Sequence, residues 1–231
     1  MGRAKDIIVK VIPSKLANDF IKKYHYSGKV VNNSKLHFGC FLDERLHGVM
    51  SYGHSINKKG TINLVAGTKW SGFIELNRMA FDDVLPRNSE SRCIAISMRL
   101  LKKNAPHIQW VISFADGTQC GDGTIYRASG FKLVGIAKNT ALRVNPKTGE
   151  AMHVIQAHHL KMSQEFRTWE AFKGYQFKYV YFLDKSVEAN LTLPVLPFSK
   201  IDELGAGMYK GQNTHAVSMT WCSACKAMLN F

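Results

Sequence analysis

Three stretches of this chain combine residue types and spacings that can do chemistry: His25-Tyr26-Ser27, Asp116 with Tyr126 ten residues later, and the turn Arg87-Asn88-Ser89-Glu90-Ser91-Arg92. An imidazole with an ordinary pKa of about 6.5 can take the proton from an attacking amine, the first role open to His25. The second is structural, a helix-end histidine bonded to a carbonyl. Asp116 closes the apolar run Gln109 to Ala115, the pattern of a buried central strand, and open sheets collect their sites at such carboxyl ends. There it can accept a hydrogen bond from a reacting amine or orient His25; equally, it can cap the turn that begins at Gly117. Tyr126 reads by itself as a core tyrosine with its hydroxyl satisfied. His25, Tyr26 and Asp116 also make a mixed nitrogen and oxygen set for a metal, whose presence the sequence leaves unknown.

The turn from Arg87 to Arg92 has two simple features: Ser89 as a helix cap and Glu90 at the positive helix end. Two arginines and an asparagine in so short a turn go beyond that and fit an anionic ligand. Phe73 to Phe81 alternates as a strand, with Glu75 and Asn77 on one face and Arg78 on the other. Glu75 and Asn77 are expected toward the ligand and Arg78 toward a phosphate or the packing, unless the strand bulges. Of the tryptophans that could stack an extruded base, Trp70, Trp110 and Trp169, only Trp70 lies in a polar segment.

The elements that must position these groups follow in order. Ser14 is expected to cap a helix with Leu16, Phe20 and Tyr24 on its stripe, stopped by Gly28. His37 to Leu42 and Leu46 to Tyr52 form a hairpin across Asp43-Glu44-Arg45. The strand Phe73 to Phe81 leads through the turn into a helix from about Ser89 to Lys103, with Ile94, Met98 and Leu101 inward. A strand over Gln109 to Ala115 follows, then a short helix near Gly123 to Ser129 closed by Gly130. Further strands are expected near Phe131 to Ala137, Met152 to His158 and Gln176 to Leu183. Beyond Asn190 the composition turns to Pro, Gly, Ser and Asn, so a catalytic domain over 1–189 and a loosely packed extension over 190–231 are expected.

At 231 residues and 45% apolar content, the chain can bury one sizeable core. Its formal charge of +14, spread along the sequence, implies a polyanionic partner met by a face that the fold builds. Five cysteines, an odd number mostly isolated in apolar runs, suit reduced thiols in a cytosol. No signal peptide or membrane span is read. Cys222-Ser-Ala-Cys225 with His215 is half of a zinc site.

This order of elements resembles the GNAT acyltransferase superfamily, whose closing tyrosine and Gly-Phe pair Tyr126 and Gly130-Phe131 resemble. More narrowly, His25-Tyr-Ser27, His37-Phe-Gly39, Glu75-Leu-Asn-Arg78, Pro86 to Arg92, Ser113-Phe-Ala-Asp116 and Gly123-Thr-Ile-Tyr126 together resemble the phage Mom family of DNA adenine-modification proteins, over about residues 20 to 185. The resemblance implies an α/β (α+β) fold with a mixed, largely antiparallel central sheet flanked by helices. It implies conversion of adenine's exocyclic amine in double-stranded DNA to a carbamoylmethyl group, in a host bacterial cytoplasm. His25, Tyr26, Asp116 and Tyr126 are then the catalytic candidates. Ser27, Glu75, Asn77, Arg78, the six residues from Arg87 to Arg92, Ser113 and Thr124 are the candidates for substrate and donor binding.

The GNAT turn before the central helix uses small residues so that backbone amides reach the coenzyme A pyrophosphate. Here Glu90 and Arg92 stand in place of small residues, and a carboxylate repels pyrophosphate. An acetyl donor also supplies no nitrogen for a carbamoylmethyl product, whereas an activated glycyl donor does. Glycyl-tRNA is therefore expected ahead of acetyl-CoA, with tRNA as a second nucleic-acid partner. The competing readings are a conventional acetyl-CoA-dependent N-acetyltransferase of a small molecule or protein, and a basic binding protein without catalysis.

Overall fold

The computed structural model describes residues 3–117, 121–138, 140–171, 174–205, 208–209 and 212–213. Cys120, His215, Cys222 and Cys225 lie outside these, so the zinc-site expectation does too. The chain divides into two compact units, the first made of Met1–Phe114, Thr124–Gly135 and Lys178–Pro197.

In the first unit, β1 (Ile8–Val11) precedes α1 (Ser14–Tyr24), and the hairpin β2 (Ser34–Leu42) and β3 (Arg45–Gly53) follows. Its two-residue turn has Asp43 at φ 49° and Glu44 at φ 63°, the paired left-handed geometry that matches the twist of a tight hairpin, here without glycine. The short α2 (Lys58–Ile62), β4 (Phe73–Phe81), α3 (Ser89–Asn104), β5 (Trp110–Asp116), α4 (Thr124–Ala128) and β6 (Lys132–Lys138) come next. The chain then forms β7 (Leu142–Val144), β8 (Ala151–His153), α5 (Val154–His159), α6 (Ser163–Thr168), β9 (Glu170–Ala171), β10 (Tyr175–Phe182) and α7 (Ser199–Glu203). A seven-stranded sheet runs β1-β2-β3-β4-β5-β10-β6, with β1 to β4 antiparallel and β4 parallel to β5. This is the expected mixed, largely antiparallel sheet with flanking helices.

One apolar cluster joins Phe73, Trp110, Ile112, Val134, Val180 and Phe182, with the Phe73 and Trp110 rings stacked 4.6 Å apart. These two residues are also cross-strand partners in the β4/β5 pairing. A second cluster packs Ala17, Phe20 and Ile21 of α1 on Val49 and Ala80.

Three expectations are corrected. The buried stripe of α1 is Ala17, Phe20 and Ile21, while Leu16 and Tyr24 are 43% and 38% exposed. Small Ala17 turns that face inward, and a stripe of strict four-residue spacing drifts off a helix with 3.6 residues per turn. Ser14 is the first helical residue, since Pro13 takes the cap position. Met152 to His158 is not one strand: three residues pair in β8 and the chain then coils into α5. After Asn190, Thr192 N–H donates to the Leu64 carbonyl and Leu196 N–H to that of Leu133.

The second unit contains Ala115–Gly123, Ile136–Phe177 and Phe198–Phe231. It carries the small sheet β8-β7-β9 and a cluster of Met152, Ala157, Phe166 and Trp169. Arg143 ties this cluster by donating to the carbonyls of Arg167 and Trp169. Trp169 is therefore a core residue, as is Trp110 of the first unit.

Candidate active site

The site is organised by a fault in β4. Ser51 and Tyr52 are adjacent on β3, yet they oppose Arg78 and Leu76, so Asn77 is an additional, bulged residue. The bulge is the exception to strict alternation, and it re-aims the strand here. On its other side β4 pairs with β5 only from Phe73/Trp110 to Leu76/Ser113. Where that pairing stops, the Ser113 hydroxyl donates to the Leu76 carbonyl at 2.8 Å, in place of a backbone amide.

Ser113 Oγ also lies 2.8 Å from the Tyr126 hydroxyl. A serine has one proton, so the Ser113 hydroxyl donates either to the Leu76 carbonyl or to the Tyr126 oxygen at any one time. Tyr126 is buried against Phe131 and Tyr179 and is fixed beside the opening of the two strands. The nearby Tyr52 hydroxyl pairs with Ser97 of α3 at 2.6 Å, and burial raises its pKa.

Asn77 has one end of its amide held and the other end empty. Ser34 of β2 donates to Oδ1 at 2.8 Å, while Nδ2 is buried with no hydrogen-bond partner among the described residues. The Ser34 contact reaches across β3 at Gly53, which opposes both Ser34 and Glu75. A Cβ at Gly53 would stand 2.1 Å from the Asn33 carbonyl oxygen, so this close approach requires glycine. A buried amide donor without an acceptor costs about 1–3 kcal/mol, which makes Nδ2 a group waiting for a ligand oxygen or ring nitrogen.

Around Asn77 stand Glu75, Arg78 and His25. Burial raises the Glu75 pKa, and a hydrogen bond from Ser55 and the charge of Arg78 offset part of the rise. A half-buried carboxylate with a raised pKa has the properties of a general base. The Arg78 guanidinium donates to the carbonyls of Lys29 at 3.1 Å and Asn77 at 2.8 Å, clamping the connection between α1 and β2 onto the bulge.

His25 is the C-cap residue of α1, and the Ser27 N–H donates to its Nδ1 at 3.1 Å. That bond makes Nδ1 an acceptor, so the neutral ring carries its proton on Nε2. Burial first, and then the Arg78 charge, lower the His25 pKa to about 4. His25 is thus held in its neutral form, with Nδ1 accepting from Ser27. The Ser27 hydroxyl is 2.8 Å from the same Nδ1, and the exposed Tyr26 ring leans on the imidazole at 4.2 Å.

The remaining candidates are spread more widely. Asp116 ends β5 half-buried and belongs to the second unit, and Thr124 opens α4 exposed to solvent. In the turn, Asn88 rather than Ser89 occupies the cap position, at φ 69°, with no side-chain capping bond. Ser89 is buried and its hydroxyl turns back to the Pro86 carbonyl. The α3 N-terminus is therefore left without a side-chain cap, with exposed Arg87 and half-buried Glu90 beside it. Ser91 Oγ donates to the Asn88 carbonyl, and Arg92 Nη2 donates to that of Lys5 at 3.2 Å. Ser34 and Ser55 had no signal in the sequence, because their contacts to Asn77 and Glu75 are purely tertiary. Among the described residues, no group of three His, Cys, Asp or Glu side chains could hold a metal ion.

A hairpin, a bulged strand, a turn into a long helix, a parallel strand whose pairing ends beside the bulge and a buried tyrosine after it frame the candidate site. A Bacillus subtilis acetyltransferase in complex with CoA aligns at a TM-score of 0.46 and 7% identity, covering 76% of this chain and 98% of that one. A GNAT family acetyltransferase from Elizabethkingia anophelis with acetyl-CoA bound aligns at 0.47 and 10% identity, covering 77% and 98%. The methylcarbamoylase Mom of Escherichia phage Mu is 34% identical over 209 residues, 85% of each chain. The Mom protein family model matches residues 6–200, and the chain belongs to this family. It is an enzyme.

Proposed function

We propose that this protein modifies the exocyclic amine of adenine in double-stranded DNA to a carbamoylmethyl group, drawing on an activated glycyl ester such as glycyl-tRNA, in the cytoplasm of a phage-infected bacterium. The observation that carries the reading is the buried, unpartnered Asn77 Nδ2 at the β4 bulge, in the same electrostatic field as Glu75, Arg78 and His25. Family membership with the Mu methylcarbamoylase supports the reaction class, and the +14 charge supports a nucleic-acid substrate. Among the described residues no helix is long and apolar enough to cross a membrane.

In this mechanism Glu75 takes a proton from the adenine amine as it attacks the glycyl carbonyl, and the ester oxygen leaves with a proton. Asn77 Nδ2–H and His25 Nε2–H donate to the oxygen on which negative charge develops, the preorganised role that neutral donors fill best. Tyr126, tied to Ser113, lies beside the splay from which a leaving group can be protonated. The glycyl amine then closes on the ring carbon that bears the amide nitrogen. Cleavage of that carbon's original bond to nitrogen leaves a carbamoylmethyl amine. The uncapped N-terminus of α3 with Arg87 is the place for a donor phosphate, favoured by the helix's positive end.

The test is mass spectrometry of nucleosides from plasmid DNA in bacteria expressing the protein. A deoxyadenosine heavier by one glycyl unit is the expected product, and unmodified deoxyadenosine with well-expressed protein refutes the reading. Turnover by purified protein with acetyl-CoA as the sole donor removes the glycyl ester and returns the conventional acetyltransferase.

A further inference from the structure

We infer that Lys58 and Trp70 form a nucleotide subsite for the DNA strand being modified, with Lys58 taking a phosphodiester and Trp70 the neighbouring base. The inference rests on the proposed reaction on DNA and assigns a flanking contact that the chemistry at Glu75 and Asn77 does not use.

Lys58 is only 8% exposed, and its ammonium is buried with no hydrogen-bond partner among the described residues. The ammonium lies on the face of Trp70, with Nζ 3.6 Å from the ring centroid. That cation–π contact meets the charge from one side and satisfies none of the three N–H donors. Burial lowers the Lys58 pKa, the mark of a cation that lacks a counter-charge. An anion brought to this point regains what desolvation cost.

Trp70, in turn, is 57% exposed, although large aromatic rings normally bury themselves. One ring face is covered by the ammonium, and a flat apolar face beside a cation is a stacking platform for a base. Between His54 and Gly72 the chain carries Lys58, Lys59 and Lys69 and no acidic residue, so the surroundings favour a polyanion.

The platform is held rigidly. Asn57 accepts the Gly60 amide, Ser55 and Thr61 hydroxyls lie 3.1 Å apart, and Thr68 bonds both the Val65 carbonyl and the buried Trp110 indole N–H. Ser55 is also the residue that bonds Glu75, which joins this segment to the proposed base. A nucleotide on Trp70 would flank the adenine delivered to the bulge.

The test uses the full chain and a short fluorescent DNA duplex containing adenine, with anisotropy read over a range of KCl. Trp70→Leu should weaken binding on the order of ten-fold, as loss of one stacked base does. Lys58→Met should reduce the slope of log affinity against log salt by about one, as loss of one phosphate contact does. Because Trp70 is exposed, Trp70→Leu should fold even if Lys58→Met does not, and Trp70→Phe should restore part of the affinity. Wild-type affinity and salt slope in a folded Trp70→Leu, from a protein that still modifies DNA in cells, overturns the subsite alone. Loss of affinity for an RNA acceptor-stem hairpin with DNA binding intact also overturns it, and gives the platform to the donor. A wild-type protein that neither binds the duplex nor modifies DNA instead overturns the reading on which the inference rests.

Discussion

Replacing Glu75 with Gln removes one proton acceptor while keeping the side chain's size and a partner for Ser55. A positioned general base contributes about 10²–10⁴ in rate, so the barrier should rise by about 3–5 kcal/mol. The loss should fall on kcat with KM little changed, because the carboxylate acts on the reacting amine. Folded Glu75 has a pKa raised by burial above its ordinary value of 4.5, so the wild-type rate should climb with pH through that raised value and then level off. The variant should lose this limb. Stability moves the other way. A raised carboxyl pKa means that the folded state binds the proton more tightly, so its stabilising contribution is present below the unfolded pKa and is lost as pH rises through the folded one. At neutral pH the wild type therefore carries the full burden of a desolvated carboxylate, and Glu75→Gln should melt higher. Time courses of adenine modification, read by nucleoside mass spectrometry, and thermal melts at pH 4 and pH 7 check both halves. A variant that turns over at the wild-type rate, or that melts lower at neutral pH, refutes the reasoning.

Asn77→Ala should cost about 10²–10³ in rate if Nδ2 binds developing charge, while in stability the lost Ser34 bond is offset by removal of the unpartnered Nδ2; an unchanged rate in a folded variant assigns the amide to structure. His25 should show no NMR titration between pH 5 and 8, since its pKa is lowered to about 4, and the stability it contributes should be present above its ordinary 6.5 and fall as pH drops toward 4. A His25 resonance titrating near 6.5 would return it to the role of base. Arg78→Met removes two charge-assisted bonds to carbonyls and should destabilise by about 2–3 kcal/mol. It should also shift the acidic limb of the pH–rate profile upward, because Arg78 lowers the Glu75 pKa. An unmoved limb would separate the two groups.

Long periodic segments were legible in the sequence. The bounds of β4 were read as Phe73 to Phe81, and α3 was read one residue short, because alternation and an apolar stripe repeat over enough residues to define their period. Short segments were not. Met152 to His158 is too brief to distinguish a buried strand from a helix, and all of it from Val154 onward coils as α5. Capping serines misled twice for one reason: a serine near a helix start can cap it or sit inside the first turn, and Ser89 bonds back to Pro86. Among site residues, Glu75 and Asn77 were expected on one face toward the ligand, but the protonation state of His25 was not legible. Its Nδ1 bond to the Ser27 amide and its burial hold it neutral.

By itself, then, the sequence determined the order of elements, the basic character and the ordered blocks that mark the family, because these are set by local period, turn residues and composition. Tertiary structure decided where the chemistry sits. The bulge at Asn77 is a matter of register against β3, and the bond from Ser34 joins residues 43 apart across a glycine. The raised pKa of Glu75 and the lowered one of His25 come first from burial, and the Arg78 guanidinium three residues from Glu75 reaches His25 only through the fold. Pairing and desolvation are properties of groups brought together from distant parts of the chain, so no window of sequence contains them.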